Sequence, residues 1–402
     1  MKYNPRLNET LAHHKGFTHL HPYMPVELTQ GALAIVYELE RSLSDLTGLA
    51  ETTTMPAAGA QGEFTALLMM RAYFQKHQQF HKKLMLIPDS AHGTNPASCS
   101  AAGFQVRSLK SDARGLLRAE TVRAALSDDV AGIMITNPNT LGVFEREIRS
   151  IADLIHGVGG FVYGDGANMN ALVGTLRPAD FGVDVIHINL HKTFSTPHGG
   201  GGPGCGPVSV CEALVPFLPQ PRIRKQGAGY CVAPAHPDCI GRVKLYFGQF
   251  LVQVRAWAYM TYLGIDGLRE NAHHAVLSAR YLQHKLKDVF PQPSPEPCMH
   301  EFVVSDAGLK ETGIKTLDLA KTLMDYGYHP PTVYFPLVVP GAILIEPTES
   351  ESLQELDRFV SVLKHLVHQA RENPSVFEGR PHKTPLSRVD EAYAAKHLQV
   401  SE

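Results

Sequence analysis

Apolar and polar positions divide the first two thirds of the chain into alternating short runs and amphipathic stretches. From Leu28, apolar side chains recur at Ala32, Ile35, Val36, Leu39, Leu43 and Leu46, which is helical spacing, and Gly48 offers a stop. A second amphipathic helix opens at "PAAGAQGE" (56–63). The runs "KLMLIP" (83–88), "AGIMIT" (131–136), "GFVYGD" (160–165) and "DVIHINL" (184–190) read as strands, and "RSIADLIHGVG" (149–159) as a helix between two of them. This rhythm predicts α/β units around a mostly parallel sheet. Helical patterning resumes near Gly241 and continues through "VKLYFGQFLVQVRAWAYMTYLG", expected to be a buried interdomain helix. "HEFVVS" and "AILIEP" add strand signals, and "PPTVYFP" (330–336) reads as a rigid loop or edge strand. The expected organisation is an arm over 1–25, a large α/β domain over 26–270, and a smaller α+β domain over 271–402.

Composition narrows the partners. In 402 residues, 44% are hydrophobic and 19% charged, the balance of a folded domain protein. A formal net charge of -2 gives no electrostatic case for nucleic acid or an anionic membrane. No apolar run reaches the ~18 residues a membrane helix needs. The amino end, "MKYNPRLNET", lacks the apolar core of a signal peptide. Six cysteines stand at 99, 205, 211, 231, 239 and 298 with no C-x-x-C pair, so reduced thiols and a cytoplasmic location are expected.

The chemistry concentrates in "HINLHKTFSTPHGGGGPGCGPV" (187–208). With a period of two, Ile186, Ile188 and Leu190 share one face, and His187, Asn189 and His191 the other. Lys192 emerges where ligands bind in open α/β sheets, outside the carboxyl ends of strands. A lysine there forms a Schiff base with a carbonyl cofactor, because burial lowers an amine's pKa. The alternative is a surface lysine ahead of a flexible loop. A phosphate-binding P-loop is set aside, since its glycines precede the lysine and here Gly199–Gly202 follow it. Asp165 ends an earlier strand, 27 residues ahead of Lys192. A pyridoxal phosphate (PLP) enzyme needs such a carboxylate to keep its pyridine nitrogen protonated; a turn aspartate is the alternative. Gly59, Ala60 and Gln61 open a helix and offer N–H groups to a phosphate. His92, in "DSAHGTNP", is placed to stack on a flat ring, or else is structural.

In this order the motifs resemble the glycine-decarboxylating component of the glycine cleavage system, a fold-type I PLP enzyme, and within it the separate second-subunit type. The likeness is borne by "FTHLHPYMP", "PAAGAQGEF", "IPDSAHGTNPAS", "TNPNTLGVFE", "VYGDGANMNA", "NLHKTFSTPHGGGGPGCGP", "DYGYHPPTVYFP", "IEPTESES" and "HKTPLSRVDEA". The resemblance implies that Lys192 is the PLP-binding lysine. It implies that glycine loses its carboxylate as CO2 and that the aminomethyl remainder passes to the lipoyl arm of H-protein. Asp165 would hold the ring protonated and His92 would stack on it. Asn168, Asn189 and His191 would be hydrogen-bond partners. A first subunit is implied as partner, with two copies of each. No metal is implied, and the cluster His13, His14, His19 and His21 is expected to line the active site instead. Family members carry several dozen residues ahead of the point matched by Met1, ending in "GSCT". This chain is expected to lack that segment, at a cost to the site, the interface or solubility. Two alternatives stay open: another fold-type I PLP enzyme such as an aminotransferase or lyase, and a PLP-binding subunit inactive alone.

Overall fold

A computed structural model describes residues 3–197 and 204–399. The glycine run Gly199–Gly202 lies outside the described residues. Where an arm is expected, α1 (Arg6–Ala12) and α2 (Lys15–Thr18) form instead. Asn8 and Ala12 of α1 are buried, and Arg255 grips Glu9 with two bonds of 2.7 Å. Helix α3 (Gln30–Thr47) buries the predicted apolar stripe from Ala32 to Leu46. It ends where Gly48, at φ +73°, turns left-handed and donates its N–H to Ser44.

Seven strands make the main sheet: β1 (Glu51–Thr53), β2 (Leu84–Pro88), β3 (Gln105–Leu109), β4 (Val130–Thr136), β5 (Phe161–Gly166), β6 (Val185–Ile188) and β7 (Val208–Val210). Their spatial order is β1-β7-β6-β5-β4-β2-β3, with β7 antiparallel to both neighbours and β2 to β6 mutually parallel. Strands β2, β4 and β5 are buried along their whole length because helices cover both faces. Helices α4 (Gly59–Lys76) and α5 (Thr94–Ala101) close one core, around Leu67, Met70, Met134 and Tyr163. Helices α6 (Ala119–Ala125) and α7 (Ile148–Gly157) close the other, around Ile133, Ile151 and Val162. A one-turn helix, α8 (Leu190–Thr193), follows β6 directly.

The hairpin β8 (Arg222–Gln226) and β9 (Gly229–Ala233) precedes the long helix α9 (Phe250–Leu286). That helix starts later than the expected Gly241. Tyr246 at φ +53° and Gly248 at φ +95° cannot continue a right-handed helix, and Phe247 turns into a separate apolar cluster with Leu33 and Val36. A kink at Gly264 divides α9. Tyr259 and Met260 before it, and Leu268 and Ala272 after it, pack on Leu39 and Phe194; Ala279, Leu282 and Leu286 enter a second core. That core belongs to the smaller sheet, β10 (Phe302–Ser305), β11 (Thr332–Val333) and β12 (Ala342–Ile345), in the order β10-β12-β11. Helices α10 (Thr316–Asp325) and α11 (Leu353–Glu372) cover it. "PPTVYFP" supplies β11, an edge strand.

Two contacts clamp the smaller sheet to the main one. Buried Glu296 pairs with Arg114 and Arg146. Met299 donates its N–H to the Gly142 carbonyl at 2.7 Å. Gly142 stands at φ +79°, and a Cβ there would collide with the carbonyl oxygen of Glu301. Gly142→Ala is therefore expected to lose stability on the order of 2–4 kcal/mol, read by urea unfolding. An unchanged midpoint would show that the contact yields freely.

Candidate active site

The chain runs from β2 outward to β3, then returns to the far side of β2 to lay down β4, β5 and β6. Where the order reverses, the turns after β2 and β4 diverge and leave a crevice at the carboxyl ends of the strands. The crevice opens into a cleft of about 900 Å³. Its floor comes from His92, Thr136, Thr140, Asp165, Asn168 and Lys192; its roof comes from Glu301, Tyr328, Phe335 and Glu346. The floor and the roof belong to different sheets.

Asp165 lies 5% exposed at the end of β5. Parallel register sets Thr136 and His187 beside it on neighbouring strands. Its Oδ1 accepts the Ala167 N–H at 2.9 Å and lies 3.5 Å from His187 Nε2; its Oδ2 accepts from Asn95 Nδ2 at 3.2 Å. Burial alone pushes its pKa upward. His187, the Ala167 N–H, Lys192 and the Asn95 amide together outweigh burial and hold the carboxyl below its ordinary range. The group is an anion at neutral pH.

Lys192 is half-buried on α8 rather than at a strand end. Strand β6 stops at Ile188, so the period-two face does not reach His191; Asn189 instead begins α8 and accepts the N–H groups of Lys192 and Thr193 at 3.0 and 3.2 Å. Across the cleft, Glu301 is buried and accepts from Asn168 Nδ2 at 2.8 Å. Burial, and then the neighbouring Glu346, push the Glu301 carboxyl up to about 8, against the pull of Lys192. Glu301 therefore keeps its proton at neutral pH.

The remaining predicted residues divide. His92 lines the cleft with its ring 5.4 Å from that of Phe335, and its Nδ1 lies 2.8 Å from Thr94 Oγ1. Asn168 also lines it, but its amide nitrogen is engaged by Pro138, Asn139 and Glu301. Gly59, Ala60, Gln61, Asn189 and His191 do not line this cleft. Asn189 caps α8 and His191 lies on it, and Gly59 at the start of α4 packs so close that a Cβ there would collide with Asn189 Oδ1. The Gln61 side chain is committed to the Ala57 N–H and the Val243 carbonyl. His13, His14, His19 and His21 are exposed and line no part of it, contrary to expectation: His13 bonds within α1 and His14 caps α2. Sequence reasoning missed Glu301, the second residue of the quoted "HEFVVS", and Glu63, which holds Thr94 Oγ1 at 2.8 Å and Ser98 Oγ at 3.0 Å. It passed over Thr94 and Asn95 within its own motif.

Comparison with known proteins agrees with this geometry. The family model "Glycine cleavage system P-protein" matches residues 5–223, and "Glycine dehydrogenase, C-terminal domain" matches 271–384. A probable glycine dehydrogenase (decarboxylating) subunit 2 from Alkaliphilus oremlandii is 50% identical over 400 residues, covering 100% of this chain and 82% of the relative. The protein of that name from Desulforamulus reducens is 51% identical, with 98% and 82% covered. Among solved structures, an inhibitor-bound glycine decarboxylase (P-protein) superposes with a TM-score of 0.77 at 20% identity, over 91% of this chain and 83% of that one. A rice TDC with PLP and tryptamine gives 0.70 at 14%, over 92% and 82%, and places the architecture among fold-type I PLP enzymes. A cleft built at this switch point, on a chain half identical to these relatives, belongs to the glycine cleavage system P-protein family, in the group of glycine dehydrogenase (decarboxylating) subunit 2.

Proposed function

We propose that the chain holds pyridoxal phosphate on Lys192, removes the carboxyl group of glycine as CO2, and passes the aminomethyl remainder to the lipoyl arm of H-protein. It would do so in the cytoplasm with a first subunit, two copies of each forming the assembly. The observation that supports this most is the pairing of Lys192 with a buried, charged Asp165 in one cleft.

The residues present fit the cofactor. Bound there, pyridoxal phosphate supplies a carbonyl for amines and a ring that accepts the electron pair left when CO2 departs. Lys192 offers the amine that anchors it, and Asp165 the fixed anion that a protonated ring nitrogen requires. His92 offers a flat ring at the cleft wall. Gly59, Ala60 and Gln61 open α4 with N–H groups that no intrahelical carbonyl satisfies, beside Asn189 and His191 and next to α8, where a phosphate would be held. Asn168 orients Glu301. In this reading residues 26–270 build the cofactor half, residues 271–402 the smaller half, and residues 1–25 strap onto α9.

Among the described residues lining the cleft there is no arginine, and the acids Glu301 and Glu346 stand opposite Lys192. A guanidinium is the usual clamp for a carboxylate that must stay bound. Its absence from these walls favours a substrate whose carboxylate leaves over an aminotransferase substrate that keeps it. The cleft is also far larger than an amino acid without a side chain, and has room for a long thiol-bearing arm.

Titrating the purified chain with pyridoxal phosphate should give a saturable visible band, absent in Lys192→Ala. With first subunit and H-protein added, the variant's exchange of the glycine carboxyl with bicarbonate should fall on the order of 10³-fold or more. Persistent exchange would sink the assignment. A second expectation concerns pH. A free glutamate titrates near 4.5 and Glu301 near 8, so the folded chain holds an extra proton between these values. Its contribution to stability is lost as pH rises through that window and stays lost above it. Glu301→Gln cannot ionise and should show a flatter decline in urea unfolding from pH 5 to 9. Parallel declines would mean that Glu301 is ionised throughout.

A further inference from the structure

Beneath Asp165, shut off from the cleft, lie Tyr163, His187 and Glu63, all fully or almost fully buried. None of them is used by the reaction proposed above. Tyr163 Oη lies 2.5 Å from His187 Nδ1, and the two rings stack at 25°. Burial, and then the charges of Glu63 and Asp165, push the tyrosine pKa well above 10, so its hydroxyl keeps its hydrogen. His187 Nε2 lies 3.5 Å from Asp165 Oδ1, with the Asn189 amide 3.4 Å away as its other neighbour. In the tautomer that turns an N–H toward the Asp165 carboxylate, Nδ1 is left to accept from the Tyr163 hydroxyl. The chain runs Tyr163, His187, Asp165, and parallel register between β5 and β6 fixes its last two members side by side.

Glu63, Asp165 and His187 bring ligand-type atoms within 4.8 Å of one another, as a metal site would. Their surroundings are those of anions instead. Thr94 and Ser98 hydroxyls face Glu63, while the Asn95 amide and the Ala167 N–H face Asp165. The charged and titratable groups that act on Tyr163 are Glu63 from α4, Asp165 from β5 and Cys99 from α5; those that act on Asp165 are His187 from β6 and Lys192 from α8.

We propose that Tyr163 and His187 are positioning residues that hold Asp165 ionised and aimed into the cleft, and so fix the protonation of the cofactor's ring nitrogen. The proposal rests on the pyridoxal phosphate reading above. His187 touches neither the cleft nor anything bound in it and acts through Asp165. Without its N–H, burial would dominate, Asp165 would take up a proton, and the ring nitrogen would lose the anion that keeps it charged.

The test uses the full chain loaded with pyridoxal phosphate carrying ¹⁵N in the ring, whose NMR shift reports protonation directly. The native chain should show a protonated ring nitrogen from pH 6 to 9. In His187→Phe the nitrogen should lose its proton at a pH lower by about one unit or more, and cofactor retention should weaken about tenfold. His187→Gln keeps an N–H near the Nε2 position and should restore most of both. Tyr163→Phe removes one hydroxyl and should shift the titration the same way by less; it decides the matter if His187→Phe does not fold. A folded His187→Phe or Tyr163→Phe chain with the native ring titration overturns the proposal. A native chain that takes up no cofactor overturns the pyridoxal phosphate reading itself, which separates the two failures.

Discussion

A carboxylate sealed from water takes up a proton unless other groups stabilise its charge, and Asp165 is stabilised from four separate elements. The turn after β5 gives the Ala167 N–H, α5 gives Asn95, β6 gives His187, and α8 gives Lys192. The Ala167 N–H and the Asn95 amide must arrive within a few tenths of an ångström, because hydrogen bonds weaken steeply with distance and angle, while His187 and Lys192 act by charge at longer range. Register between β5 and β6, the start of α5 and the single turn of α8 are therefore mutually constrained. Glu63 extends the constraint to α4 by holding Thr94 and Ser98.

Much of this frame was legible in the sequence. Strands β2, β4, β5 and β6 were read from their apolar runs, because burial on both faces removes polar positions. Helices α3 and α7 announced themselves by stripe and glycine stop, and α4 by its opening at "PAAGAQGE". Strand β3 was not read: at the sheet edge, four of its five positions are exposed or half-buried, so no run forms. Strands β1 and β7 have three residues each, too few for any period. Within the site, Lys192, Asp165 and His92 lie in motifs that stand out locally. His187, Glu63 and Glu301 also fall in quoted stretches, but nothing local marks their roles, because their partners are far away along the chain. Glu301 bonds to a residue 133 positions away, and a polar side chain buried by such a contact looks like any other charge.

Similarity to known proteins reaches further at the level of shape than of residues. The P-protein structure shares only 20% of positions yet superposes with a TM-score of 0.77. What is shared at that distance is the fold, which in this chain leaves a crevice between β2 and β4. That crevice locates a reaction without specifying one, since many chemistries use it. The residues around the crevice carry the specificity: two glutamates stand on the roof, and no arginine is among the described residues lining the cleft.

Helix α9 crosses this architecture from end to end. Its first part and the turn beyond Gly264 pack on Leu39 and Phe194, and its last two turns supply Leu282 and Leu286 to the core of the smaller sheet. The segment after Gly264 thus serves two apolar cores, giving Leu268 and Ala272 to one and Ala279, Leu282 and Leu286 to the other. Severing it within residues 264–279 would leave each half with an unpaired greasy face and a frayed end. Recombination that transplanted either half alone would therefore have to supply a substitute for part of this helix.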